Sequence, residues 1–255
     1  MDFEKLYLGL PYGIQYLLLN AKGYLIAKRR YGRKFHQALK SFHESDRRVL
    51  DIEKLKKFML HANKSPFWKK QFAHYQLNLE SPNIVDELKK LPILSKEVVK
   101  KNIAGIKTVD LDEPIITSST SGTTGSGLIF PKAHSMEIRQ WAVWWRFRNE
   151  HGINLDDTCA WFGGRSILNI DRKKPPYWIH NRPMSQIMFS AHHLNEKTVA
   201  LYFKKIKSQH IRWIHGYPSQ IAYFADLVEK TGLGALNDLK IITFGAENLG
   251  QIRLR

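Results

Sequence analysis

Residues 211–247 read IRWIHGYPSQIAYFADLVEKTGLGALNDLKIITFGAE, a segment whose pattern indicates the class of fold. Its apolar runs predict one strand at 211–215 and a second at 239–244. Between the two strands we expect Ser219 to cap the helix QIAYFADLVEK, which ends before Gly232. A strand, a helix and a strand at this spacing form a crossover unit with parallel strands. The sequence therefore predicts an α/β protein.

The rest of the chain divides by pattern into a helical front and a mixed remainder. Residues 1–106 show no long alternating strand pattern and are expected to be helical, with Ser95 capping the helix KEVVKKNI. The pattern changes near residue 110. We therefore expect a helical N-terminal region at 1–106 and a partial α/β region at 107–255, with a partly parallel sheet and flanking helices.

The first strands of the second region enclose a polar run. Short strands are expected at 113–117 and 128–130, the latter closed by Pro131. Ser135 is then expected to cap an aromatic helix that ends at Gly152. The tryptophans and phenylalanine of this helix indicate a deeply buried element.

The net charge of the chain indicates only that its binding partners are anions. The chain has 40 Lys and Arg against 23 Asp and Glu, a formal net charge of +17. Such an excess attracts nucleotides, coenzymes, nucleic acid or acidic lipid headgroups, although a generally basic, solvated surface explains it equally well. No recognised nucleic-acid-binding motif accompanies the charge, so nucleic acid is not an expected partner.

Cysteine and histidine usage argues against disulfides and zinc. Cys159 is the only cysteine, which makes an internal disulfide impossible and fits a reducing, cytoplasmic setting. It lies in the apolar run 158–162, which predicts a buried strand and an inert thiol. His192-His193 and the other histidines lack the paired spacing of a structural zinc site, so no metal-ligating side chains are assigned.

Residues 6–27, LYLGLPYGIQYLLLNAKGYLIA, raise the question of a membrane. Glycine, proline and polar residues interrupt the run, so it predicts no spanning helix. The leading residues are acidic and no small-residue cleavage site is evident, so no signal peptide is expected. Two interpretations stay open. The helix packs on the rest of the protein, or it lies with the following KRRYGRK on an anionic inner membrane face.

Residues 117–127, TSSTSGTTGSG, consist entirely of threonine, serine and glycine. Glycine lets backbone amides converge on one point, and the hydroxyls add donors without bulk. Between two strands this composition predicts a phosphate-binding cradle. A flexible polar linker is the alternative, which the directly abutting apolar strands disfavour. The run exits into a strand rather than a helix, which excludes a Walker loop and the dinucleotide glycine fingerprint.

The residues Thr120-Ser121-Gly122-Thr123-Thr124-Gly125 resemble the phosphate loop of the adenylate-forming superfamily, which includes acyl-CoA synthetases and phenylacetate–CoA ligase. From about residue 10 onward, wider segments are similar to the phenylacetate–CoA ligase-like proteins of capsular polysaccharide biosynthesis. These segments are LKKLPILSKEVVKKN, WAVWWRFR, WFGGRS, KKPPYW, NRPMSQIMFS and HGYPSQI.

This resemblance implies ATP-dependent activation of a small carboxylate substrate. The carboxylate attacks the α-phosphate, pyrophosphate leaves, and CoA or another nucleophile takes the acyl group from the acyl-adenylate. Hydroxyls of the loop would hold the β- and γ-phosphates beside Mg²⁺, and its glycines would permit a close backbone approach. Those residues are Thr120, Ser121, Thr123 and Thr124, with Gly122 and Gly125.

The resemblance also implies roles for residues outside the loop. Gly245, Ala246 and Glu247 align with the segment that lines the adenine site, and Tyr217 would lie near the acyl pocket. Arg165 follows two glycines, where its guanidinium could hold the substrate carboxylate bidentately. A surface arginine after a turn explains Arg165 as well.

The sequence departs from the family pattern in two places. Gly125 is followed by Ser-Gly-Leu rather than by the Gly-x-Pro-Lys continuation of many members, and the nearest lysine is Lys132. Family members also continue past the Gly-Ala-Glu strand to a Tyr-Gly-x-x-Glu segment, a ribose-binding aspartate and a small C-terminal domain with the catalytic lysine. These parts are missing here, so we expect an incomplete fragment with little activity alone and assign no catalytic residue.

Two alternatives to a ligase-like protein remain at this point. One is a nucleotide-binding scaffold without catalysis. The other, motivated by charge alone, is a basic protein that binds a membrane surface or nucleic acid. The sequence leaves the acid, the acyl acceptor and the oligomeric state open.

Overall fold

A computed structural model of the chain describes residues 3–44, 52–107, 113–120, 127–245 and 247. Contacts divide the chain into two compact units, the larger formed by Met1–His36 with Val143–Arg255 and the smaller by Gln37–Ala142. The proposed domains at 1–106 and 107–255 are not tested by this division and stay a prediction.

The described residues form helices alone up to residue 106 and a mixture of strands and helices thereafter, as the sequence predicts. The α-helices are α1 (Phe3–Leu8), α2 (Tyr12–Arg30), α3 (Arg33–Glu44), α4 (Ile52–Ala62), α5 (Pro66–His74), α6 (Ile84–Lys89), α7 (Lys96–Ile106), α8 (His134–Glu150), α9 (Val199–Ser208) and α10 (Pro218–Lys230). The strands are β1 (Ile115–Ser119), β2 (Ile129–Ala133), β3 (Cys159–Phe162), β4 (Trp178–Asn181), β5 (Gln186–Phe189), β6 (Trp213–Gly216) and β7 (Ile241–Phe244).

The larger unit is built on a sheet with the strand order β4-β5-β3-β6-β7. β4 is antiparallel to β5, whereas β3 is parallel to both β5 and β6, and β6 is parallel to β7. The crossover predicted at 211–247 is therefore present as β6, α10 and β7. The α/β class with a partly parallel sheet is confirmed.

One apolar core of this unit joins the sheet to α9 and α10. Phe162 of β3 stacks on Phe189 of β5 with ring centroids 5.1 Å apart, and Phe224 of α10 packs on Phe162 at the same distance. Tyr202 of α9 is fully buried, and its hydroxyl donates to the carbonyl of Ser190 at 2.7 Å. Aromatic side chains thus fill the space between sheet and helices.

Helix α2 packs along β4, the antiparallel edge strand of the sheet. The Tyr12 hydroxyl donates to the carbonyl of Trp178 at 3.1 Å. The Asn20 amide donates to the carbonyl of His180 at 2.8 Å and accepts from the backbone N–H of Arg182 at 3.0 Å. One face of α2 is therefore held on the protein. In the described part of the chain, no helix combines the length and apolar character needed to cross a bilayer.

The smaller unit contains a helical cluster and a β-hairpin. Buried side chains of α4, α5 and α6 form the cluster: Met59, Ala62, Phe72 and Ile84. The Ser95 hydroxyl accepts from the backbone N–H of Val98 at 3.3 Å, so the predicted cap of α7 is confirmed. β1 and β2 pair antiparallel, but β2 does not close at Pro131, which pairs with Thr117 inside the hairpin.

Two predicted helix caps are wrong. α8 begins one residue before Ser135, and α10 begins one residue before Ser219, so neither serine is the N-cap. The Ser135 hydroxyl donates instead to Glu113 at 2.7 Å, and the Ser219 hydroxyl donates to Glu247 at 2.9 Å. Both hydroxyls therefore donate hydrogen bonds to carboxylates that are distant in the sequence.

The prediction that the aromatic residues make α8 a deeply buried element is wrong for part of the helix. Trp145 is buried, whereas Trp144 and Phe147 are 42% and 44% exposed. A single helix turns only one stripe of side chains toward the sheet, so residues on the other side stay at the surface.

Candidate active-site edge of the sheet

The carboxyl ends of β3, β6 and β7 meet at one edge of the sheet because these strands are parallel. The backbone N–H of Tyr217 donates to the carbonyl of Phe162 at 2.9 Å. The N–H of Gly245 donates to the carbonyl of Gly216 at 3.1 Å. The segments that follow the strands are thus tied side by side, where open α/β sheets bind their ligands.

Glycines make this close approach possible. A Cβ at Gly216 would lie 2.0 Å from the carbonyl oxygen of Phe162, and one at Gly164 would lie 2.3 Å from the ring of Tyr217. Neither distance is compatible with a side chain, so the backbone must be bare at both positions. At Gly245, chain neighbours aside, the nearest described atom to an added Cβ is 3.8 Å away on His215, which leaves more room beside the adenine segment inferred from the resemblance.

Two predicted substrate residues lie in this loop cluster. Tyr217 is half-buried, with its ring against the backbone of Gly164, and Arg165 is the next residue along the chain and is exposed. Within the described residues, neither the Tyr217 hydroxyl nor the Arg165 guanidinium has a hydrogen-bond partner. Both groups are free to meet a ligand at the sheet edge. Their roles in substrate binding stay a prediction.

Glu247 has a structural contact at the same edge. Its carboxylate accepts the backbone N–H of Ser219 at 3.0 Å and the Ser219 hydroxyl at 2.9 Å. A carboxylate at this position satisfies an orphan N–H of the first turn of α10 and interacts favourably with the helix dipole. The chain thus supplies its own anion to this helix start, and a phosphate would be repelled there. Ala246, the neighbour assigned to the same adenine segment, lies outside the described residues.

The sequence reasoning missed His215, which lies two residues before Tyr217 on β6. Its Nδ1 is 2.8 Å from the hydroxyl oxygen of Thr243 on β7, and that oxygen accepts the indole N–H of Trp213 at 2.8 Å. The ring of His215 also lies next to Gly245. The sequence signal that could have identified His215 is a histidine in an otherwise apolar part of a strand.

Burial keeps His215 neutral. Removal from water, assisted by the positive charge of Arg148, lowers the pKa of His215 from its ordinary 6.5 to about 4. The Arg148 guanidinium lies over two indole rings, 4.9 Å from the centroid of Trp145 and 4.7 Å from that of Trp213. Cation–π contacts of this kind hold an arginine against the sheet. At neutral pH the imidazole therefore presents hydrogen-bonding groups without charge beside Gly245.

The hydroxyl-rich loop belongs to the smaller unit and connects β1 to β2. At its start the N–H of Thr120 donates to the carbonyl of Leu128 at 2.9 Å, and the Thr120 hydroxyl accepts the N–H of Leu128 at the same distance. These bonds close the base of the hairpin. The remaining assigned phosphate ligands, Ser121, Gly122, Thr123, Thr124 and Gly125, lie outside the described residues. Their role stays a prediction.

Comparison with known proteins identifies the fold. No family model matches the chain. Protein CapK of Staphylococcus aureus is 28% identical over 214 residues, which cover 83% of this chain and 47% of CapK. An open conformation of 2-hydroxyisobutyryl-CoA ligase, in complex with 2-HIB-AMP and CoA, matches with a TM-score of 0.50 and 14% identity. The match covers 79% of this chain and 44% of the ligase. The chain has part of a CoA-ligase fold.

These similarities agree with the sequence motifs on two points: the fold is shared with part of 2-hydroxyisobutyryl-CoA ligase, and the sequence is similar to that of Protein CapK. The chain spans about half the length of CapK and less than half of the ligase. Of the candidate site, the structure describes the sheet edge with Arg165, Tyr217, Gly245 and Glu247, and it describes Thr120 at the start of the hydroxyl-rich loop.

Proposed function

We propose that the chain is part of an adenylate-forming carboxylate–CoA ligase-like protein that acts in capsular or surface polysaccharide biosynthesis. The observation that carries the proposal is the sheet edge at which Tyr217, Gly245 and Arg165 follow parallel strands. Similarity to CapK across most of the chain and the shared ligase fold support it. Because the reaction consumes ATP and CoA, we place the protein in the cytoplasm.

Each residue of the edge has a proposed role in binding. Arg165 would hold the substrate carboxylate through two parallel N–H bonds, which suits an exposed guanidinium. Tyr217, fixed by packing on Gly164, would form a wall of the acyl pocket. Gly245, Ala246 and Glu247 would line the adenine, with Glu247 also keeping this segment beside the start of α10.

The triphosphate would bind the hydroxyl-rich loop rather than α10, because Glu247 occupies the start of that helix. Hydroxyl groups of the loop would donate hydrogen bonds to the phosphate oxygens: those of Thr120, Ser121, Thr123 and Thr124. Gly122 and Gly125 would let the backbone approach the phosphates closely. Mg²⁺ commonly binds through substrate phosphates with few protein ligands, so it would enter with ATP and neutralise charge on the leaving pyrophosphate. Among the described residues, no group of three or more acidic, histidine or cysteine side chains is arranged so that it could hold a metal ion.

ATP binding tests the phosphate assignment directly. We expect ATP with Mg²⁺ to raise the melting temperature of this chain, because a ligand that binds only the folded state stabilises it. Replacing Thr123→Val together with Thr124→Val should weaken ATP binding about tenfold or more, since hydrogen bonds to a charged partner are lost. Thr158→Val with Thr231→Val makes the same change at two exposed threonines outside the loop, and this matched control should leave ATP affinity unchanged.

Exchange of radiolabelled pyrophosphate into ATP, measured with a panel of carboxylic acids, then tests the chemistry. Exchange that depends on one class of acid would support ligase activity. ATP binding without exchange for any acid would favour the scaffold alternative. If ATP does not raise the melting temperature at all, both nucleotide-based functions are wrong for this chain.

A further inference from the structure

Helix α2 is apolar on two opposite sides, and only one of them is covered. Its inner side packs on the sheet, where Tyr12, Tyr16 and Leu19 join an apolar cluster that includes Ile179 of β4. Its outer side carries five large apolar residues that are exposed by 43% to 66%: Ile14, Leu17, Leu18, Tyr24 and Leu25. At 3.6 residues per turn, this spacing places all five on one stripe. A contiguous exposed stripe of this kind marks an interaction surface.

Exposed cations lie on α2 beside this outer stripe and follow it closely in the sequence. Lys22 and Lys28 are exposed on α2, and Arg33 and Lys34 are exposed where α3 begins. Between Lys5 and His36 the sequence has no aspartate or glutamate. At helical spacing Lys22 borders the stripe and Lys28 lies on it, so the outer side of α2 combines large apolar side chains with cations, as helices on a membrane surface do.

We propose that the outer side of α2 docks on an anionic phospholipid bilayer, with the five apolar residues in the headgroup–acyl boundary and the lysines and arginines on phosphate groups. Juxtamembrane cations contribute to such binding in proportion to their number. The inner contacts of Tyr12 and Asn20 keep α2 on the sheet, so docking needs no rearrangement of the helix.

Charge argues against a second copy of the chain as the occupant. In a two-fold contact the same surface meets itself, so the stripe of one copy would face the stripe of another. The cations beside the two stripes would then approach each other, with no acidic residue from this segment to pair with. A lipid surface supplies the missing negative charge.

Vesicle sedimentation tests this proposal, which does not depend on ligase activity. Vesicles of phosphatidylcholine alone are compared with vesicles of phosphatidylcholine and phosphatidylglycerol in equal amounts. We expect sedimentation with the anionic vesicles that weakens as salt is added. Lys22→Glu with Lys28→Glu should reduce the partition coefficient about thirtyfold or more. Leu17→Ser with Leu25→Ser should reduce it about tenfold or more.

Matched controls lie on the same unit away from α2. Lys204→Glu with Lys240→Glu makes the same change in net charge at exposed positions and should sediment nearly as the unaltered chain does. Circular dichroism and melting temperature verify that each variant is folded. Equal sedimentation of the Leu17/Leu25 variant and the unaltered chain would overturn the proposal. So would failure to bind anionic vesicles, or a dimer in solution that Leu17→Ser with Leu25→Ser dissociates.

Discussion

Among single residues, His215 makes the stability of the folded protein depend on pH. Its pKa is lowered to about 4 by burial first and by Arg148 second, while a hydrogen bond with the backbone of Thr243 opposes this shift. In the unfolded chain the same imidazole regains its ordinary pKa of about 6.5. Between these two values the unfolded state binds a proton that the folded state does not bind.

We therefore expect acidification to destabilise the protein through His215. The stability linked to the neutral imidazole is present above about pH 6.5 and is lost as the pH falls toward 4, to a total of about 3 kcal/mol. The pKa values of His180 and His193 are also lowered by burial, so they add to the effect in the same direction. Urea unfolding at a series of pH values measures it.

The variant His215→Asn separates this contribution from the rest. It keeps a polar side chain beside Thr243 but cannot titrate, so its free energy of unfolding should fall less steeply between pH 6.5 and 4. The difference between the two proteins should be constant above pH 7. Parallel curves across the acidic range would show that His215 is not the residue responsible.

At the level of single residues, the sequence allowed us to predict site residues only where they follow a predicted strand. Tyr217 and Gly245 follow predicted parallel strands, so their meeting at one edge could be expected. His215 was missed because its partner Thr243 comes 28 residues later and is brought near only by strand pairing. The assignment of Glu247 to adenine alone likewise left out its bond to Ser219.

At the scale of elements, the seating of α2 depends on Gly23. A Cβ at this position would lie 2.2 Å from the side-chain oxygen of Asn181, a residue that is 7% exposed. Its amide nitrogen is in turn 3.3 Å from the Gln186 side-chain oxygen, so Asn181 has little freedom to move. Gly13, ten residues earlier on the same helix, would meet nothing within 4 Å.

These two glycines predict opposite responses to the same substitution. Gly23→Ala should lower the free energy of unfolding by about 1–3 kcal/mol, because overpacking outweighs the gain in helix propensity. Gly13→Ala should leave it unchanged or raise it by up to about 1 kcal/mol. Urea denaturation of the pair gives the comparison. A gain for both variants would mean that α2 is not seated on β4 as described.

The elements themselves were predictable where local pattern decides them. The crossover at 211–247 follows from the spacing of apolar residues. The cap at Ser95 follows from a serine whose hydroxyl accepts a hydrogen bond from the first turn of the helix that it precedes. Ser135 and Ser219 look the same locally, yet their hydroxyls go to Glu113 and Glu247. A single sequence gives no sign of these partners, since they lie 22 and 28 residues away.

At the scale of the whole molecule, the net charge of +17 opposes folding. A compact chain brings its excess cations closer together than an unfolded chain does, and their repulsion is reduced by dissolved ions. The α/β class could be predicted without regard to this charge, because the periodicity of apolar residues, rather than surface charge, determines the fold.

We expect the melting temperature to rise as sodium chloride is added up to about 0.15 M, where the screening length has shortened to about 8 Å. Potassium chloride at the same ionic strength should give the same rise, because screening does not depend on the identity of the cation. Differential scanning calorimetry without nucleotide measures both series. A melting temperature that falls with either salt would show that attractive ion pairs outweigh the general repulsion.

Cys159 gives the molecule one practical property. This sole cysteine is 1% exposed in β3, and burial raises the pKa of its thiol, so the reactive thiolate is suppressed. Maleimide reagents should therefore leave the native protein unmodified. A cysteine introduced at Leu17 could carry a fluorophore with no competing label and without removal of a natural residue. Its emission would report directly whether that position leaves water.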